Sequence, residues 1–277
     1  MLDLFALGVA FVFGACVGSF VNVVVYRLPA GLSLVKPPSR CPSCLTPLKP
    51  QENIPILGWL AIGGRCRYCK ARVSWRYPAI ELITGLMFAL VVAQFGQSVA
   101  WIAIVGFCLF LAWLLSLALI DLDTMTLPDS LTQSGLIAGL VLHQIPAIAG
   151  LGNPVLQTAT TPLNSLVFAV AGAVLGIWLL DIVRGLGSFW LGVEAMGAGD
   201  PRLAGMIGAW LGWERVLLTI LLASALGAVG GAGAMALRRL GKQQPLPFGP
   251  FLAMGAGLSL FFGRQILHIY LGWFGIT

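Results

Sequence analysis

The chain has 277 residues, of which 58% are hydrophobic and only 9% charged, and its mean hydropathy is +0.94. A soluble domain carries roughly 25% charged residues. The composition therefore excludes a soluble enzyme, a disordered protein and a disulfide scaffold. It predicts an all-α polytopic membrane protein, and the 35 glycines suit helices packed closely in lipid.

Residues 2–25 form a nearly continuous apolar run, long enough to cross a bilayer at about 20 residues per span. With Asp3 and no basic residue ahead of the run, it does not read as a cleaved secretory signal. A polar, proline-rich insert follows over 27–77. Further apolar runs occupy 78–95, 99–120, 134–151, 163–183, 216–237 and 248–263. The run 203–213 is short. It reads either as re-entrant or as a span completed by its flanks, and counting it gives about eight transmembrane helices.

Charge chooses between these readings. The insert holds nine basic residues against one acid, Glu52, for a net +8, and the rest of the chain has seven basic residues against nine acids. Such a cluster suits nucleic acid or anionic lipid. No nucleic-acid motif accompanies it, so the expected partner is membrane lipid and no nucleic acid is expected. With the insert in the cytoplasm and eight crossings, fourteen basic residues fall inside, including Arg184, Arg202, Arg238, Arg239 and Lys242. Arg215 and Arg264 fall outside, in accord with the positive-inside bias. The tail from Arg264 is expected in the outer interface. The small-residue run 227–236 predicts a closely packed helix pair.

Within the insert, Cys41-Pro-Ser-Cys44 and Cys66-Arg-Tyr-Cys69 form two CxxC pairs at a spacing close to that of a zinc ribbon. Four thiolates make a closed tetrahedral site with no open position, so the predicted zinc is structural. It would staple a segment too poor in large apolar side chains to fold by itself. Two disulfides are the competing reading and do not suit a cytoplasmic face. Cys16 and Cys108, inside apolar runs, read as packing residues.

Two aspartates stand at membrane boundaries. Asp121 closes the third apolar run in Ala118-Leu-Ile-Asp-Leu-Asp-Thr-Met-Thr-Leu-Pro-Asp129, and Asp200 stands in Met196-Gly-Ala-Gly-Asp-Pro-Arg-Leu203. Ionisable groups at membrane depth are costly and often functional. The plainer reading makes Asp200, before Pro201, a helix N-cap, and Asp129 another. Gly197 and Gly199 favour the functional reading, because they let an extended chain approach the acid. Two facing carboxylates that share a proton activate a water without a covalent intermediate. Neither a Gly-x-Ser-x-Gly elbow nor a His-Glu-x-x-His helix is present. His143 and His268 lie far from the acids in sequence.

Taken in order, Gly18-Ser-Phe-Val-Asn22, Tyr26-Arg-Leu-Pro29, Glu52-Asn-Ile-Pro55 between the CxxC pairs, Arg76-Tyr-Pro78 with Glu81, Ile120-Asp121 through Asp129, Gly197-Ala-Gly-Asp200 and Pro247-Phe-Gly-Pro250 resemble the bacterial type IV prepilin leader peptidase / N-methyltransferase family. The resemblance covers almost the whole chain. It implies a membrane aspartic endopeptidase with Asp121 and Asp200 as the catalytic pair, which cuts the short basic leader from prepilins or pseudopilins after a glycine at the cytoplasmic face of the bacterial inner membrane. It further implies N-methylation of the new N-terminal residue from S-adenosylmethionine. Glu52 and Asn53 are candidates to contact that cofactor, beside a structural reading as turn caps. The implied domains are 1–26 (first transmembrane helix), 27–77 (cytoplasmic zinc insert) and 78–277 (peptidase bundle). The family has lysine where this chain has Arg202; the cation is kept, though the two differ in geometry. An ion channel or transporter that uses the same acids is one competing class. A zinc-dependent binding module is another, for which so many spans are far more than an anchor needs.

Overall fold

The computed structural model describes residues 4–148, 162–192, 196–236 and 246–273. Among them the chain is helical, with only two isolated β-bridges, Arg40 to Pro47 and Arg65 to Arg72. The helices are α1 (Leu4–Arg27), α2 (Leu57–Ala61), α3 (Arg76–Phe95), α4 (Trp101–Thr124), α5 (Asp129–Ile148), α6 (Pro162–Leu191), α7 (Asp200–Leu211), α8 (Trp213–Ala236) and α9 (Gly249–Trp273). A 3₁₀ turn covers Pro50–Asn53.

Six of these helices, α1, α3, α4, α6, α8 and α9, are long and apolar enough to cross a membrane. The expected architecture of about eight helices is present in α1 and α3 to α9, but α7 cannot span. At 1.5 Å per residue its 12 residues reach only about 18 Å, short of the ~30 Å hydrocarbon layer. Every residue of α7 except Arg202 is buried, so its apolar run is a core helix. The tail from Arg264 continues α9 to Trp273. Arg238, Arg239 and Lys242, which supported the orientation, lie outside the described residues.

The chain forms two compact units, Met1–Gln97 with Phe107–Ala112, and Ser98–Gly106 with Trp113–Thr277. In the first, α1 packs on α3 through small residues. A Cβ on Gly14 would lie 2.8 Å from Phe88, one on Gly18 2.8 Å from the Glu81 backbone, and one on Gly85 2.9 Å from Phe11. Asn22 Nδ2 of α1 donates to the Tyr77 carbonyl in the first turn of α3 at 3.2 Å. The insert is fastened to this pair by the Ile56 N–H, which donates to Glu81 Oε2 at 2.7 Å, and by Arg27, which donates to the Ser33 and Pro38 carbonyls.

In the second unit α7 is packed by α5, α6, α8 and α9. Its contact with α6 is backbone on backbone. Gly172 and Gly208 face each other so closely that a Cβ on either would run into the other's carbonyl, and Gly176 and Gly205 continue the seam one turn away. On the α5 side Trp210 Nε1 donates to the Gly135 carbonyl at 2.8 Å. Gly212, with φ +80°, ends α7 and starts α8 after a single residue, where a side chain would overlap Phe168.

Gly208→Ala is therefore expected to destabilise the protein by about 1–3 kcal/mol through overpacking. Gly185→Ala, which meets nothing within 4 Å, serves as the neutral control. Thermal unfolding in detergent measures both.

Candidate metal centre and active site

The insert is built as the same loop used twice. In each copy the N–H of the first cysteine of a CxxC pair donates to the carbonyl five residues on: Cys41 N to Thr46 O at 3.0 Å, and Cys66 N to Ala71 O at 2.8 Å. Each loop turns through a left-handed, non-glycine residue, Leu45 (φ 57°) and Lys70 (φ 61°). Each is closed by one of the two β-bridges. The copies are offset by 25 residues from Cys41 to Cys66, a repeat the cysteine spacing alone does not reveal.

The four sulfurs of Cys41, Cys44, Cys66 and Cys69 lie within 4.8 Å of one another. Cys41 and Cys69 Sγ are 3.7 Å apart, and Cys44 and Cys66 Sγ are 4.0 Å apart. Both are far beyond a disulfide bond. A tetrahedral ion with Zn–S bonds near 2.3 Å needs sulfurs about 3.8 Å apart, so the cluster fits zinc. Hydrogen bonding by the Thr46 side chain and backbone lowers the Cys44 thiol to about 6. The Cys69 and Tyr68 backbone lowers Cys66. For Cys69 the Ala71 backbone also pulls down, but burial and the other three sulfurs outweigh it and raise it to about 11. A metal bound there would replace the thiol protons.

Glu52 has a structural task. Its side chain is only 4% exposed and pairs through Oε1 with Arg67 Nε at 3.0 Å. Its Oε2 accepts the Lys49 N–H at 3.0 Å. It thereby ties the 3₁₀ turn to the second cysteine loop. Asn53 is exposed at the end of that turn.

The two aspartates come from distant parts of the chain and are both buried, each 5% exposed. Asp121 lies in the last turn of α4, before Met125 closes the helix in the left-handed region. Asp200 is the first residue of α7. The N-cap is Gly199, no side-chain cap bond forms, and Pro201 follows within the first turn. The N-cap reading of Asp200 is thus corrected: Gly199 takes the cap position, Asp200 is already the first helical residue, and its carboxyl makes no cap bond. Asp129, likewise, begins α5 as a helical residue. Of the three acids in the first motif only Asp121 is buried; Asp123 and Asp129 are exposed. The charge of Asp121 acts on Asp200, so the two are within electrostatic reach.

Three further contacts frame the pair. The N–H of Gly249, the first residue of α9, donates to Asp121 Oδ2 at 2.9 Å. A Cβ on Gly249 would stand 2.7 Å from the same oxygen. Leu127 packs on Gly199 so tightly that a Cβ there would meet its own at 2.7 Å. Arg202 forms an ion pair with Asp129. The cation after the second aspartate thus serves the loop of the first. The sequence pointed to Pro247-Phe-Gly-Pro250 as a motif without a task. Its contribution is a backbone N–H, for which the glycine beside a helix-starting proline is the one visible signal.

Comparison with known proteins gives the family. Residues 12–95 match the bacterial peptidase A24 N-terminal domain, and residues 108–232 match the type IV leader peptidase family. A Stutzerimonas stutzeri protein named prepilin leader peptidase/N-methyltransferase is 38% identical over 95% of this chain and 92% of its own length. A Burkholderia pseudomallei protein of the same name is 39% identical over 96% and 88%. One from Aeromonas salmonicida is 36% identical over 94% and 92%. No solved structure matches. With two apolar helical units and paired buried acids, this is a multi-pass membrane protein of peptidase type. It belongs to the prepilin leader peptidase/N-methyltransferase family.

Metal analysis of the purified protein is expected to find about one zinc per chain, by the closed four-thiolate geometry. Cys44→Ser and Cys66→Ser should each lose it and make the insert sensitive to limited proteolysis.

Proposed function

We propose that this chain is an aspartic endopeptidase that removes the short basic leader from type IV prepilins or pseudopilins after a glycine, and then N-methylates the new N-terminal residue. The observation that carries the reading is the buried pair Asp121 and Asp200, brought within reach of each other from two helices, with Asp121 held by the Gly249 N–H.

In this reading one carboxylate of the pair is ionised and takes a proton from a water held between them. The other is protonated and donates a hydrogen bond to the scissile carbonyl. The water oxygen attacks the carbonyl carbon, and the tetrahedral intermediate collapses as a carboxyl returns a proton to the departing amine. The pair ends with its proton count restored, and no acyl-enzyme forms. Gly197 and Gly199 keep side chains away from the path of an extended substrate beside Asp200. The Gly249 N–H fixes the orientation of Asp121, and Arg202 with Asp129 anchors the loop that follows it.

The insert and the acids lie on the cytoplasmic side of the bacterial inner membrane, a placement supported by the nine basic residues of the insert and the positive-inside bias. The insert faces anionic lipid headgroups. It would repel a basic leader, so the substrate is held chiefly through its apolar helix. Zinc is structural, bound by Cys41, Cys44, Cys66 and Cys69. The methyl donor is S-adenosylmethionine. When bound, it supplies a methyl group on a sulfonium: the amine lone pair forms the N–C bond, the S–C pair stays on sulfur as a thioether, and the nitrogen sheds a proton.

Incubation of the purified protein with a prepilin and S-adenosylmethionine, followed by intact-mass analysis, tests both steps. The expected products are a leader-sized loss and the gain of one methyl group. Asp121→Asn and Asp200→Asn should each slow cleavage by about 100- to 10,000-fold, the range for loss of a general acid or base. Full cleavage by either variant would end the peptidase assignment. Gly249→Ala, which displaces the Asp121 carboxylate without removing it, should lower kcat by about 100-fold with KM nearly unchanged.

A further inference from the structure

The first unit contains a cleft of ≈ 480 Å³ that the peptidase chemistry does not use. One wall is a stripe of α1, formed by Cys16, Ser19, Phe20, Val23 and Arg27. The spacing of three and four residues puts these side chains on one helix face, over a length of about 16 Å. The other wall is the insert, mostly apolar through Leu34, Val35, Pro37, Pro38 and Pro55, with Ser39 and Asn53 as its polar side chains. The volume falls within the range of about 300–1,000 Å³ for small-molecule sites.

The two ends of the stripe differ in character. At one end the guanidinium of Arg27 is held by the insert itself: Nη1 donates to the Ser33 carbonyl at 3.0 Å and Nη2 to the Pro38 carbonyl at 3.5 Å. These bonds fix its orientation and leave further N–H donors for an anion. About 12 Å along the helix, Ser19 hydrogen-bonds the carboxyl of Glu81. Glu81 is only 8% exposed and also receives the Ile56 N–H. The cleft therefore has a cationic end at Arg27, a hydroxyl at Ser19 backed by a carboxyl that lies behind the lining, and an exposed aromatic ring, Phe20.

We propose that this cleft binds the methyl donor, a sulfonium conjugate of methionine and adenosine. Arg27 suits its carboxylate, Ser19 backed by Glu81 suits its cationic part, and Phe20 with the apolar insert wall suits its planar base. A phospholipid would satisfy Arg27, but its acyl chains would leave Ser19, Ser39 and Asn53 facing hydrocarbon. The inference rests on the methyl-transfer reading above. It extends that reading by placing the donor site between α1 and the insert, with Asn53 on its wall and Glu52 occupied in holding the insert together.

The test uses the full chain in detergent, with methyl-labelled S-adenosylmethionine as the probe. Affinity is measured by calorimetry, and the contact site by ultraviolet cross-linking and peptide mapping. The label should map to peptides of α1 or the segment 34–55. Arg27→Gln should weaken binding by about tenfold or more, as expected for loss of a charge-assisted hydrogen bond. Val23→Trp, which fills the groove, should remove detectable binding; thermal unfolding and zinc content report whether each variant is folded. If Val23→Trp does not fold, Arg27→Gln and the wild-type cross-link map decide. Wild-type affinity in a folded Val23→Trp, or a label confined to other peptides, overturns the proposal. So does native mass spectrometry that finds a phospholipid lost from Val23→Trp while donor affinity is unchanged. In those cases wild-type protein still methylates its product, and the methyl-transfer reading stands. Wild-type protein that neither binds the donor nor transfers a methyl group would instead remove that reading and this one together.

Discussion

The peptidase half of the molecule depends on how closely two backbones approach. Helix α7 is too short to cross a bilayer and too buried to lie on a surface, so the helices around it must hold its first residue, Asp200, at a fixed depth. The seam of Gly172 and Gly176 against Gly205 and Gly208 does this on the α6 side. Without a strong hydrophobic drive between helices in lipid, close van der Waals contact is the main source of attraction, and small residues permit it. A helix held by backbone contact has little room to slide or rotate, and Asp200 shares that rigidity.

Asp121 is fixed by different means. It sits near the C-terminal end of α4, where a helix has unsatisfied carbonyls and offers a carboxylate nothing favourable. Its partner is the opposite end of another helix, the first N–H of α9. The two acids are thus held by three helices that are far apart in sequence. Leu127 on Gly199 and Arg202 with Asp129 tie the intervening loop to the start of α7. Exposed ion pairs add little stability, and both partners of this one are half-exposed. Its part is to set register, which does not require a large energy.

Much of this is legible in the residues. The CxxC spacing predicts one four-sulfur cluster, and the sulfurs lie at distances a tetrahedral ion requires. The apolar runs predict the long helices to within a few residues at most ends, because twenty apolar residues in succession have few alternatives. The position of α7 is not legible, since an eleven-residue apolar run suits a core helix and a partial span equally. Asp200 reads as an N-cap because aspartate before proline favours that position, yet the cap falls one residue earlier, at Gly199, and Asp200 is the first helical residue. The Gly249 contact is hidden because a backbone N–H has no side-chain signature. The partner of Arg202 lies 73 residues away, and no local pattern encodes a contact at that range. Glu52 shows the reverse case: its place between the cysteine pairs draws attention, and the geometry uses it to hold the insert.

The doubled loop of the insert bears on how α1 and α3 are joined. Each copy contributes two of the four sulfurs, so neither half has a complete ligand set, and an ion bound there would act as a rivet through both. With such a rivet in place the connection would be a stiff bracket, braced at Ile56 against Glu81 and at Arg27 against the Ser33 and Pro38 carbonyls. Withdrawing it would turn the bracket into a long slack tether between two membrane helices, and the wall that the insert builds alongside α1 would go with it.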